Sequence, residues 1–129
     1  MTRFAQVDQA GLRVGVSQGS SSQGVLSQQL KSAQVLPVAS LDVAQQMLRT
    51  GQLDAFATNK GILFELREKL QDFKVPDDRW GLENLAIAVP KGRDAGHAFL
   101  DEFAEQVTRS GQLAAMAQRA GLRGLVKPD

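Results

Sequence analysis

Two spacings of apolar residues alternate along this chain. Short β-branched runs bounded by glycine predict strands, and apolar positions three and four apart predict helices. The run "LRVGV" (residues 12–16), between Gly11 and Gly19, predicts the first strand. Over residues 21–31, Val25, Leu26 and Leu30 share one helical face. "QVLPV" (34–38) predicts a short strand, and its proline, lacking an N–H, suits an edge or a strand end. Ser40 is a good cap for a helix over 41–49 with Val43, Ala44, Met47 and Leu48 inward, ended by Gly51. "LDAFAT" (53–58) is the next strand. Asn59 can cap a helix over 60–70 with Ile62, Leu63, Leu66 and Leu70 toward the core. After the turn-rich "VPDDRWG", the stretch "LENLAIAV" (82–89) predicts a strand stopped by "PKGRD". Two helices follow, over 94–109 and 112–120, separated by Gly111 and ended by Gly121.

This order, βαβαβα then β then αα, predicts an α/β fold: a mainly parallel sheet flanked by helices, with two C-terminal helices. Residues 1–10 are expected to be a polar lead-in, 11–90 an α/β ligand-binding lobe and 91–129 a C-terminal helical segment. The words "GQL" and "AGLR" each occur twice, but in different structural settings, so they are not a repeat.

Composition narrows the possibilities. The 129 residues are 43% hydrophobic and 22% charged, ordinary for one globular domain. Fifteen basic and fourteen acidic residues nearly cancel, and no Lys/Arg run interleaves with aromatics, so nucleic acid is not an expected partner. No apolar run approaches membrane-span length. The chain has no cysteine, which excludes disulfides, thiolate catalysis and cysteine-based zinc sites. "MTRFAQVDQA" has one arginine and no apolar core, so as written it is not a signal peptide. The expectation is a cytoplasmic protein or a piece whose leader is absent.

The candidate chemistry lies at two strand-to-helix junctions. In "VGVSQGSSSQG" a strand passes through Gly19 into a helix start carrying Ser20, Ser21 and Ser22. Ligands of open α/β sheets bind outside the carboxyl ends of the strands. A helix start offers N–H groups with no partner inside the helix, and its dipole favours negative charge by roughly 0.3–2 kcal/mol. The turn therefore suits a carboxylate or phosphate, while plain N-capping by serine accounts for the same letters. It lacks the Gly-Lys-Ser/Thr of a Walker loop, so phosphoryl transfer is unsupported. The second junction, "DAFATNKG", places Asn59 and Lys60 at the same end of the sheet, with capping and a solvated lysine as the plain alternatives. Asp54 starts its strand, at the opposite end, and is expected to be structural. Trp80 is expected to pack. The lone His97, with no partner carboxylate in view, is not expected to bind metal or move protons, and no Ser/His/Asp order or paired-acid motif stands out.

Taken in order, "LRVGVSQGSSS", "QMLRTGQLDAFATN", "LAIAVPKGRD" and "FLDEFAEQVTRSGQLAAMAQRAGL" resemble the bacterial extracellular solute-binding proteins of family 3, the polar-amino-acid receptors of ABC transporters. The resemblance spans residues 10–124. It implies one lobe of a type II periplasmic-binding-protein fold, the second, with "IAVPKG" as the strand that crosses back toward a first lobe that this chain does not resemble. It carries a carboxylate-holding turn onto Gly19, Ser20 and Ser21, with Ser22 beside them. The family's ammonium-gripping aspartate falls on Asn59, next to Lys60. An amide supplies no negative charge to an ammonium, and a lysine opposes it, so the implied ligand is an anionic or uncharged small solute rather than a standard α-amino acid.

The function expected from this resemblance is a non-enzymatic solute-binding component of an importer, periplasmic, meeting an ABC permease in its full-length context and using neither cofactor nor metal. Two alternatives stay open: an enzyme on the same scaffold, similar to cyclohexadienyl dehydratases, and a LysR-type effector-binding domain. The helices over 94–120 carry Phe99, Leu100, Phe103, Val107, Leu113 and Met116, a face that the family packs on the first lobe. Burying one such side chain is worth about 1.5–3 kcal/mol, so a homodimer is expected, and exchange of the C-terminal helices is a low-cost route to it.

Overall fold

A computed structural model describes residues 3–126. Three parallel strands, β1 (Arg13–Ser17), β2 (Gln34–Val38) and β3 (Ala55–Ala57), form one sheet in the order β2-β1-β3. Val14 pairs with Val35 on one side and with Ala55 on the other; Val16 pairs with Pro37 and Ala57. Three helices alternate with them: α1 (Ser21–Gln29), α2 (Leu41–Arg49) and α3 (Lys60–Lys69). The general α/β class expected from the sequence is therefore present.

The two-residue alternation of the strands builds two cores. Val14 and Val16 pack with Leu26 and Leu30 of the α1 segment, and Val35, Ala55 and Ala57 join from the neighbouring strands. On the opposite face, Val38, Ala44, Leu48, Leu53 and Leu70 form the second core, with Leu36 and Phe56 against it. Val14, Val16 and Leu26 are fully buried, each contributing about 1.5–3 kcal/mol. Gly15 faces the second core, where the leucine and phenylalanine side chains of Leu53 and Phe56 occupy the space a Cβ would need.

Val25 and Val43, expected inward, are exposed. Each lies one position, about 100° of helix, from the residue that reaches the core, Leu26 and Ala44. Residues 3–10 are more than a lead-in. They form a short 3-10 turn (Phe4–Gln6), and Phe4 and Val7 pack with Trp80 against the α1-face core. The Asp8 carboxylate accepts the backbone N–H groups of Lys31, Ser32 and Ala33 at 2.7–3.0 Å. Those bonds favour its charged form and hold its carboxyl below the usual carboxylate range.

One compact unit extends to Leu82, and a second begins at Glu83. The second contains α4 (Asp94–Arg109) and α5 (Gln112–Arg119), joined through Gly111 in the left-handed conformation, φ +75°. Within the pair, Leu100, Ala104, Val107 and Ala117 are half-buried. The strand expected over residues 82–89 does not form. The segment makes no ladder, and Leu82, Leu85 and Ile87 are exposed. Its alternating pattern suits a pleated backbone, but a strand also needs a neighbour to take its N–H and C=O groups, and none of the described strands does.

Candidate functional site

β1 is the central strand, and the direction of strand succession reverses beside it. The chain steps from β1 to β2 on one side and then crosses to β3 on the other. Between β1 and β3 the connecting segments leave in different directions, the switch point where open α/β sheets take ligands beyond the carboxyl ends of their strands. Val16 and Ala57 are paired neighbours, so the turns after β1 and β3 emerge side by side. Gly19, Ser20, Ser21 and Ser22 stand at one, and Asn59 and Lys60 at the other.

The serine turn is built from the end of β1. The Gln18 N–H still donates to the Val38 carbonyl, at 3.0 Å. Gly19 then turns the backbone through φ +74°, a conformation glycine adopts without strain. The Ser20 hydroxyl donates to the Ser17 carbonyl at 2.6 Å and accepts the Gln23 N–H at 3.2 Å. Gln23 reaches back in turn, its Oε1 accepting the Gly19 N–H at 2.7 Å. Ser21 is exposed, and Ser22 is buried. Ser20 is thus a helix cap with both its hydrogen-bonding roles filled, and the Ser22 side chain faces away from solvent. Of the three hydroxyls expected at the seat, only that of Ser21 lies on an exposed residue.

At the second junction the Asn59 Oδ1 accepts the Ile62 N–H at 3.0 Å and caps α3. Its residue is exposed, and the cap uses only the oxygen of its amide. The Lys60 ammonium donates to the Asp77 carbonyl, so it ties the loop before Trp80 to the start of α3 rather than standing free in solvent. Two shallow concavities, of about 360 and 540 Å³, lie elsewhere. The first is lined by Arg49, Lys69 and Phe73 and the second by Glu102, Glu105 and Arg109, and neither includes a residue of the two junctions.

Asp54 sits at the amino end of the sheet. Its carboxylate accepts from Arg13 Nε at 2.9 Å, from Arg13 Nη2 at 3.1 Å and from the Arg13 backbone N–H at 2.8 Å. The Arg13 guanidinium and this N–H hold the Asp54 carboxyl below its usual range, and the same pair raises Arg13. His97 does have a carboxylate partner, contrary to the sequence-based expectation. Its Nδ1 lies 3.1 Å from Asp101 one helical turn on, and both side chains are largely in water. No cluster of three or more His, Cys, Asp or Glu suited to a metal occurs among the described residues, and no helix there is long and apolar enough to cross a membrane.

Two contributors escaped the sequence reading. Gln23 was legible, since Ser20 followed three residues later by glutamine is a capping-box signature. Asp77 was not, because it acts through a backbone carbonyl that every residue carries. No protein-family model, curated protein or solved structure matches this chain.

Proposed function

We propose that the unit up to Leu82 is a small-solute-binding lobe that receives an anionic or uncharged polar ligand at the β1/β3 switch point. The observation that carries this reading is the strand order β2-β1-β3 with Val16 and Ala57 in register. It sets the starts of α1 and α3 side by side at one end of the sheet. Two helix dipoles then present their positive ends at the same end of the sheet, each worth about 0.3–1 kcal/mol to an anion at an exposed site. No acidic side chain stands among Gly19, Ser20, Ser21, Ser22, Asn59 and Lys60, so nothing at the two junctions offers a counter-charge to an ammonium. The exposed Asn59 amide adds a neutral donor. In its wider context the lobe is the solute-binding component of an ABC-type importer, facing the periplasm and delivering to a permease. That part of the reading rests on the resemblance to family 3 receptors.

Calorimetric titration of the chain with phosphate, sulfate, short dicarboxylates, neutral polyols and the common L-amino acids tests the ligand class. Heat is expected from anions or neutral polar solutes and not from zwitterions. Asn59→Asp, which can still cap α3, should weaken anion binding and favour cationic or zwitterionic amino acids. Tight binding of a common L-amino acid by the unaltered chain would overturn the ligand class. Silence across the whole panel would overturn the binding site.

A further inference from the structure

We infer that residues 74–80 are an autoinhibitory strap, which holds the Lys60 ammonium until an anion at the β1/β3 switch point takes it. The inference rests on the solute reading above and adds to it the regulation of that site.

The strap is held at a few points only. After α3 ends at Lys69, Phe73 packs against the second core. The chain then passes to the other face of the sheet, where Trp80 packs with Phe4 and Val7 against the α1-face core. Two hydrogen bonds fix the passage. The Lys60 ammonium donates to the Asp77 carbonyl, and the Asp78 carboxylate accepts the Phe4 N–H at 2.6 Å. Residues 74–80 belong to no helix or strand, and Asp77, Asp78 and Arg79 are exposed. The far end of the strap therefore depends on those two bonds and on the half-buried Trp80 ring.

Charge makes the hold on Lys60 competitive. Lys60 is the only cation among the six residues of the two junctions, so it is the group there that an anion attracts most. Its acceptor in the strap is a neutral carbonyl, whereas a bond from an ammonium to an anion is about twice as strong. The peptide that takes the ammonium joins two aspartates, Asp77 and Asp78, and their carboxylates oppose a further negative charge at the same lysine. The ammonium rides on a flexible stem, so it can change acceptors while α3 keeps its place. Strap and anion thus compete for one group. By linkage, whatever weakens the strap strengthens the anion.

Trp80 is the chain's only tryptophan, so its quenching by acrylamide reads the strap in the full chain. The probes are inorganic phosphate and succinate at constant ionic strength, and calorimetry reads their binding separately. Quenching of Trp80 is expected to rise along the same isotherm as the heat. Lys60→Met should show the raised quenching with no anion present and no further rise when one is added. Asp78→Ala weakens the strap at its other bond and leaves Lys60 intact, so it should bind the anions about fivefold more tightly, the equivalent of about 1 kcal/mol for one hydrogen bond. Asp78→Asn, which keeps an oxygen acceptor, should shift affinity the same way by less, and circular dichroism confirms that each variant is folded. Heat with a silent Trp80 would overturn the strap and leave the binding site standing. So would a Lys60→Met chain quenched no more than the unaltered one, or Asp78 variants with unchanged affinity. No heat from either anion would overturn the inference through the anion site on which it rests.

Discussion

Gly15→Ala is the smallest change that interrogates the packing of the sheet. A Cβ at this position would lie 2.5 Å from Leu53 Cδ1, 3.0 Å from Phe56 Cδ2 and 3.3 Å from Leu53 Cδ2. Leu53 is only 2% exposed, so its side chain has no solvent to swing into. Flanking Gly15, Val14 and Val16 are fixed in the opposite core, which prevents β1 from shifting outward. Overpacking of this kind costs about 1–3 kcal/mol. Alanine restricts the unfolded chain more than glycine does, which offsets about 0.4–1 kcal/mol. The net expectation is a loss of about 1–2 kcal/mol, read as a lower urea midpoint or as a Tm lower by roughly 4–16 °C for a unit of this size. Leu53→Ala alone should cost about 2–5 kcal/mol by leaving a cavity. Combined with Gly15→Ala it should cost at least about 1 kcal/mol less than the sum, because the truncated side chain makes room for the new methyl. A neutral or stabilising Gly15→Ala, or a strictly additive double variant, would refute this account of how β1 meets the second core.

Three further outcomes are expected. Asp8 and Asp54 are both held below the usual carboxylate range in the folded chain, Asp8 by backbone N–H groups and Asp54 by Arg13; the stability they lend is complete above that range and is lost as the pH falls through it, so Asp8→Asn and Asp54→Asn should each flatten the acid limb of a stability–pH profile. Ser20→Ala should cost about 0.5–2 kcal/mol by chemical denaturation, and Ser20→Asp should retain most of the capping, since an aspartate also accepts the Gln23 N–H. Asn59→Asp should shift the calorimetric preference from anions toward ammonium-bearing solutes without unfolding α3.

The bounds of β2, α2 and α4 were legible because each is marked by chemistry within a few residues: Pro37 near an edge-strand end, Ser40 before α2, Gly111 after α4. β3 was expected over six residues and pairs over three, because outside Ala55–Ala57 only Asp54 keeps a backbone bond to β1, and Leu53 and Thr58 have no partner in the ladder. The segment at 82–89 failed for the same reason on a larger scale. Its letters specify an extended backbone, whereas sheet membership depends on a neighbour that no local pattern encodes. Of the candidate site, the placement of the two junctions followed from the βαβ order alone. The commitment of the Ser20 hydroxyl and of the Gly19 N–H to the chain itself depends on Gln23 folding back, and the tether from Lys60 spans 17 residues, beyond any motif. Asp54 was separable from the candidate site because parallel strands put their first residues at one end of the sheet and their strand-to-helix turns at the other.

The Arg13–Asp54 pair has a mechanical consequence. Its two side-chain bonds are reinforced by the Asp54 N–H on the Arg13 carbonyl at 2.9 Å and by Arg13 Nη2 on the Gly51 carbonyl at 2.6 Å. Together they rivet β1 to β3 at the end remote from the two strand-to-helix turns. At the other end β3 stops at Ala57, and beyond it the turns are held by the caps of α1 and α3, by the Gln18 N–H on the Val38 carbonyl and by the Lys60 ammonium on the Asp77 carbonyl. The two strands are thus bound like the blades of a fan, fixed at the pivot and free to spread at the rim. Amide exchange should be slowest around Asp54 and should quicken toward Thr58. A solute held between the serine turn and Asn59 would pull the rim together, and its arrival should be read most strongly in the amides of Gly19 and Asn59, while those of Arg13 and Asp54 scarcely change.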